Sequence, residues 1–103
     1  MQDKQKQYQE TAELLKAIAH PIRLCIINGL LSKGSCNVSY MQNCLGAPQS
    51  TISQHLQKLR MAGIVEGKRN GLEINYEICN DKVEALMRVL FSGQSEFMSE
   101  KEL

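Results

Sequence analysis

Leu14, Leu15, Ile18 and Ala19 recur at three- and four-residue spacing, which predicts an amphipathic helix over about Tyr8 to Ala19, with the residues before it frayed. His20-Pro21 then punctuates the chain. The residue before a proline avoids the helical region, whereas proline suits the first position of a new helix. A second helix is therefore expected from about Pro21 to Leu31. Ile22, Leu24, Ile26, Ile27, Leu30 and Leu31 make it apolar on most sides, which places it at the centre of the core. After the short break Ser32-Lys33-Gly34-Ser35, Asn37 is a suitable N-cap for a short third helix that turns Val38, Met41 and Leu45 inward.

Gly46 ends that helix in the left-handed position past its last turn, and only Gly46 and Ala47 separate it from Pro48, which opens a fourth helix at its first position. Two helices joined by so tight a turn cross steeply, as in a helix-turn-helix. Between Pro48 and Ala62, Ile52, Leu56 and Leu59 form one buried stripe, and the opposite side carries Gln49, Ser50, Ser53, Gln54 and Gln57; Gly63 stops the helix.

Beyond Gly63 the period changes from about 3.6 to 2. Ile64 to Arg69 leads into Asn70-Gly71, a strong two-residue hairpin signal, after which Leu72, Ile74, Tyr76 and Ile78 alternate with Glu73, Asn75 and Glu77. This predicts a β-hairpin with one face on the core. Asn80 or Asp81 caps a last helix with the stripe Val83, Leu86, Met87, Leu90 and Phe91. The fold expected is mainly α with a β-hairpin wing (α+β), in the order α-α-α-α-β-β-α. It forms a single winged helix-turn-helix domain over 1–103, with 1–7 and about 94–103 as flexible tails.

A chain of 103 residues supports one core, but a small helical unit of this kind is marginal alone, so oligomerisation is expected. No apolar run approaches the roughly 18 residues that span a bilayer, and the polar start MQDKQKQYQE lacks the features of a secretory signal. A cytoplasmic protein that does not engage a membrane is expected. The net charge of +1 favours no partner by itself, but its distribution is uneven. Residues 1–47 carry five basic and three acidic side chains, 48–71 four and one, and 72–103 three and seven. Four cysteines without CxxC spacing read as reduced thiols rather than as a disulfide framework or a structural zinc site.

A helix entering the DNA major groove needs short and medium polar side chains near its N-terminus, because these reach base edges without holding the backbone away. Gln49, Ser50, Thr51, Ser53 and Gln54 meet that need. Glutamine bonds bidentately to adenine, hydroxyls donate or accept, and the threonine methyl can touch thymine. An ordinary solvated face would carry more Glu and Lys. Lys58 and Arg60 on the same helix, and Lys68 and Arg69 beside Asn70-Gly71 on the wing, are placed to meet phosphates.

The segments ELLKAIAHPIRLCIINGL (13–30) and LGAPQSTISQHLQKLRMAGIVEGKRNGLEINYEI (45–78) resemble the ArsR-type (SmtB/ArsR) family of winged-helix repressors, over about Glu13 to Phe91. The resemblance implies a homodimer built from the first and last helices, bound to near-palindromic double-stranded operator DNA and released by an inducer. It also places His55 as a packing or phosphate-contacting residue of the reading helix. The apolar stripes of the terminal helices agree with a dimer.

Many members sense metals, yet here the family's cysteine motif at the third helix is replaced by Gly34-Ser35-Cys36-Asn37-Val38-Ser39-Tyr40, and the last helix has no histidine. No metal and no cofactor are expected; the residual combination for a metal site is Cys25, Cys36 and His20. His20 reads as the end of the first helix. Some relatives resemble redox or persulfide switches pairing a cysteine of the second helix with one near the last, parts that Cys25 and Cys79 could take. Against this, Cys25 lies on an apolar helix and Cys44 on the core side of the third, which favours inert packing, and Cys36 in its loop is the thiol expected to be exposed.

A thiol-borne or unidentified signal is thus favoured over metal. The competing class is a winged-helix adaptor for proteins, without an operator of its own. An enzyme is not expected, since no cysteine pairs with a histidine and an orienting carboxylate in a recognisable motif and no phosphate-cradling Gly-rich loop exists.

Overall fold

The computed structural model describes residues 2–92. Five helices and one hairpin follow in the expected order: α1 (Gln2–Ile18), α2 (Pro21–Lys33), α3 (Val38–Leu45), α4 (Gln49–Met61), β1 (Val65–Asn70), β2 (Glu73–Ile78) and α5 (Asp81–Leu90). The expected tail beyond residue 93 lies outside the described residues.

Helix α1 begins at Gln2, not near Tyr8. Its first turns have no apolar periodicity to announce them, but Gln, Lys and Glu are good helix formers, Asp3 sits in the first turn, and Lys6 and Glu10 pair at i,i+4 at 3.8 Å. Only the last turns pack, through Leu14, Ala17 and Ile18. The chain then bends by 92° into α2. His20 does not end α1 in any passive sense. It is the N-cap of α2, where the Ile22 N–H donates to its Nδ1 at 3.1 Å and Pro21 holds the first turn. Helix α2 runs two residues past the predicted Leu31, to Lys33, and Ile22, Cys25, Ile26, Ile27 and Leu30 are buried along it at the centre of the core.

Helix α3 is capped as predicted: Asn37 Oδ1 accepts from the Tyr40 N–H at 2.8 Å, and Gly46 ends it at φ +69°. Pro48 is the N-cap of α4 rather than its first helical residue, and Ala62 is its C-cap, so this helix is one residue shorter at each end than predicted. Ile52, Leu56 and Leu59 are buried, and α4 packs on α1, α2, α3 and β1. At α5, Asn80 is the cap, accepting from Val83 N–H, and Val83 and Met87 are buried. Leu90, expected inside, is 55% exposed.

The wing differs from the prediction in its register. Asn70 pairs with Glu73, so the two-residue turn is Gly71-Leu72 and not Asn70-Gly71. Gly71 has φ +68° while Leu72 keeps a negative φ, the arrangement of a turn with glycine at its first central position. A consequence is that Leu72 stands at the tip, 100% exposed, and Ile74 is 40% exposed; only the base of the wing, from Tyr76 and Val65, packs on the core. Cys36 joins that base by an antiparallel bridge to Tyr76, with N–H to O bonds of 3.1 and 2.9 Å. Cys36 is therefore buried at 6% exposure, where a loop thiol had been expected to be open, and Cys44 is half-buried rather than on the core side of α3.

Gly67 faces Tyr76 across the strands, and a Cβ there would sit 2.8 Å from Ile74 Cγ2 and 3.2 Å from Tyr76 Cε1. Neither atom is the far end of a long flexible chain. Gly67→Ala should destabilise the domain by about 1–3 kcal/mol through overpacking. In a thermal melt this appears as a fall of about 4 °C or more. A melt unchanged by the alanine would show that the wing yields without cost.

Candidate nucleic-acid interface

Helix α4 has two faces of opposite character. Its inner stripe fixes it in the core, and Gln49, Ser50, Ser53, Gln54, Gln57, Lys58 and Arg60 are exposed. The amides and hydroxyls of the first two turns thus lie together on an uncharged outward surface. Thr51 is half-buried at the edge of that surface. Pro48 provides no side-chain cap, and the first intrahelical bond runs from Ile52 N–H to the Pro48 carbonyl at 3.2 Å. The preceding N–H groups point outward from the positive end of the helix, and no acidic side chain occupies its first turn. An anion such as a backbone phosphate is favoured there.

His55 does not belong to the outward face. It is half-buried, its ring centroid 4.5 Å from that of His20 and tilted by 47°, and its Nδ1 is buried without a hydrogen-bond partner. Burial holds its pKa below the ordinary value, and His20, Arg23 and Lys58 add to the effect. Nothing local in the sequence announces this pair, since 34 intervening residues separate the two histidines; the one hint is a histidine placed where a helix N-cap belongs, before Pro21.

On the wing, Lys68 and Arg69 differ. Lys68 Nζ lies 2.7 Å from Glu77 and 3.8 Å from Glu66, and the hydrogen bond and charge of Glu77, followed by the charge of Glu66, raise its pKa. Arg69 is exposed, opposite Ile74, and has no ion-pair partner among the described residues. Asn70 and Gly71 stand at the end of the ladder and in the turn. Over 65–78 the wing carries Glu66, Glu73 and Glu77 against Lys68 and Arg69, a balance that can be read from the sequence once the hairpin is counted as a unit.

The three cysteines considered as sensors are far from equivalent. Cys25 and Cys36 are buried, and Cys79 is exposed, its Sγ donating to the Gly63 carbonyl at 3.6 Å. Burial, reinforced by Cys44 and slightly relieved by Lys33, raises the Cys36 pKa to about 11. Cys79 is also raised, by partial burial first and then by Glu66 and Glu77. Among the described residues no three His, Cys, Asp or Glu side chains converge on one metal position, so Cys25, Cys36 and His20 do not form the residual site considered above.

Apolar side chains also remain open at the two chain ends: Tyr8 and Leu15 on α1, Val89 and Leu90 on α5. Between α1, the end of α4 and α5 runs an open groove whose walls include Leu14, Ala17, Met61, Ala62 and Leu86.

Residues 20–67 match the family described as "Bacterial regulatory protein, arsR family". The transcriptional repressor PagR of Bacillus anthracis is 46% identical over 80% of this chain and 82% of its own length. Its crystal structure superimposes with a TM-score of 0.77, covering 82% of this chain and 97% of that one. Reduced HlyU from Vibrio cholerae aligns at TM-score 0.82 and 30% identity over 91% of this chain and all of that one. The homodimeric winged helix-turn-helix DNA-binding domain Mb0332 of Mycobacterium bovis aligns at TM-score 0.75 and 31% identity over 84% of this chain and 80% of that one.

Since only the thiolate reacts appreciably, a buried thiol of raised pKa reacts slowly. Alkylation of the native protein at pH 8, followed by peptide mass spectrometry, should label Cys79 first and Cys36 last. Equal labelling of Cys36 and Cys79 would contradict the environments described.

Proposed function

Because the chain belongs to the arsR family and is a DNA-binding transcriptional regulator, not an enzyme, we propose that it is a repressor acting as a homodimer on a near-palindromic operator. The observation that carries this reading is the uncharged polar face of α4, held outward by its own buried stripe. Gln49, Ser50, Ser53 and Gln54 are the groups that read base edges, with Thr51 at the margin. The uncapped start of α4 receives a phosphate, and Lys58, Arg60 and Arg69 meet the backbone on either side of the groove. Lys68, bound to two glutamates, shapes the wing and adds little to affinity.

A second copy covers the apolar residues at the chain ends. Tyr8 and Leu15 on α1 and Val89 and Leu90 on α5 supply the surface, and the homodimeric state of Mb0332 supports the assignment. Two copies related by a two-fold axis present two reading helices, which is why the operator has two half-sites. Binding to chromosomal DNA would place it in the cytoplasm. Among the described residues no single helix is long and apolar enough to cross a membrane. A thiol-borne inducing signal would enter at Cys79, which is open to solvent, before it could reach Cys25 or Cys36.

One observation favours the alternative of a protein-binding adaptor, namely the excess of acid over base on the wing. Selection of duplexes from a random DNA pool separates the two readings: recovery of a palindrome supports the repressor, and recovery of no site supports the adaptor. On the selected site, Ser53→Ala combined with Gln54→Ala should reduce selectivity by about tenfold or more, given roughly 1–3 kcal/mol for a good bidentate base contact, while the dimer stays folded. Retained selectivity would move the reading surface elsewhere. Arg69→Ala should lower the slope of log affinity against log salt by about one, and Lys68→Ala should change it less. An equal loss for both would show that the glutamates release Lys68 on DNA.

A further inference from the structure

Four groups able to carry positive charge meet where α1 bends into α2 beside α4. They are His20 in the bend, Arg23 in the first turn of α2, and His55 and Lys58 on α4. His20 and His55 face each other with ring centroids 4.5 Å apart. Arg23 Nη1 donates to the Ala17 carbonyl at 2.8 Å, but its Nε, like Nδ1 of His55, is buried without a partner.

No carboxylate is among the charges that act on His55: burial, His20, Arg23 and Lys58 all oppose its protonation. The other elements packed on α4 bring no relief. Helix α3 carries no charged side chain, Glu10 and Glu13 of α1 pair with Lys6 and Lys16, and Glu66 of β1 pairs with Lys68.

Uncharged, the two rings join the N-terminus of α2 to the middle of α4 by dispersion. The cap that His20 Nδ1 accepts from Ile22 N–H fixes the orientation of its ring against His55. A proton on His55 adds a half-buried charge beside the cations of Arg23 and Lys58. We propose that His20 is a positioning residue for α4: its ring seats His55 and so fixes the angle at which the reading helix meets DNA. The seat holds only while the His55 ring is uncharged, so that selective binding weakens on acidification. The proposal rests on the reading of α4 as the DNA-contacting helix.

The sign follows from linkage. The pKa of His55 in the folded protein lies below its usual 6.5, so the stabilisation from the neutral ring is complete above that value and is lost as pH falls through the folded one. Non-selective attraction to phosphates moves the other way, because a more positive protein binds any DNA more tightly at low pH. The ratio of selective to non-selective affinity therefore isolates positioning from charge.

The test measures that ratio at pH 5.5, 6.5 and 7.5 and fixed ionic strength, for the wild type, His20→Asn and His55→Gln, using the selected duplex and a scrambled one. Asparagine keeps a side-chain acceptor at the N-cap and removes the ring. The wild-type ratio is expected to fall between pH 7.5 and 5.5, with most of the loss below pH 6.5. Both variants should start lower and stay flat. A constant wild-type ratio, or a wild-type profile in either variant, overturns the proposal.

In parallel, the backbone amides of Ser50 to Lys58 in the DNA-free protein should shift with the midpoint of the His55 ring signals in NMR. Amides that ignore that titration overturn the seat. If they follow it but no duplex is ever selected, the seat stands and the DNA reading of α4 has failed.

Discussion

The arrangement depends on one constraint: α4 must bury Ile52, Leu56 and Leu59 fully while leaving its opposite side bare. Burying three such side chains contributes on the order of 5–9 kcal/mol before entropy is counted, the scale of a whole small domain's net stability. The stripe therefore sets the rotation of the helix about its axis, and the polar face points outward because no other rotation keeps the core closed. The turn through Gly46, Ala47 and Pro48 fixes where the helix starts, with Ala47 buried beneath it. Function is imposed on whatever that rotation exposes.

The base of the wing is held in the same manner. Val65 and Tyr76 pack on the core, and Cys36 adds a short third lane to the ladder, so the loop between α2 and α3 and the hairpin form one piece. The outer half has no such support. Its side chains balance one another instead, with Lys68 between two glutamates, and the tip presents Leu72 to solvent. The wing is thus anchored at its base and carries a nearly neutral shaft, in contrast to the basic arm that the charge of residues 48–71 alone suggests.

Much of what repeats or caps locally could be read in the sequence, although the local caps at His20 and Pro48 were not. The helical stripes, the Asn37 cap and the stop at Gly46 each follow from a few neighbouring residues, the last cap was narrowed to Asn80 or Asp81, and the outward face of α4 follows from the stripe. What depended on pairing over distance could not. The hairpin register moved by one residue because Asn-Gly and Gly-Leu are both workable turns there, and the ladder decided between them. Cys36 was hidden by an atom of β2 forty residues away, and His20 met His55 through tertiary packing alone. The first turns of α1 were missed for a different reason: they are helical by propensity and bury nothing, so no periodicity marks them.

The absence of charge from the first two turns of α4 bears, on the proposed reading, on how such a regulator divides its time in a cell. Bulk chromosomal DNA offers about a million or more competing sites, and what holds a protein on them is charge. A face built of amides and hydroxyls is poorly retained by that background, so a larger share of the molecules remains in solution or at the cognate site.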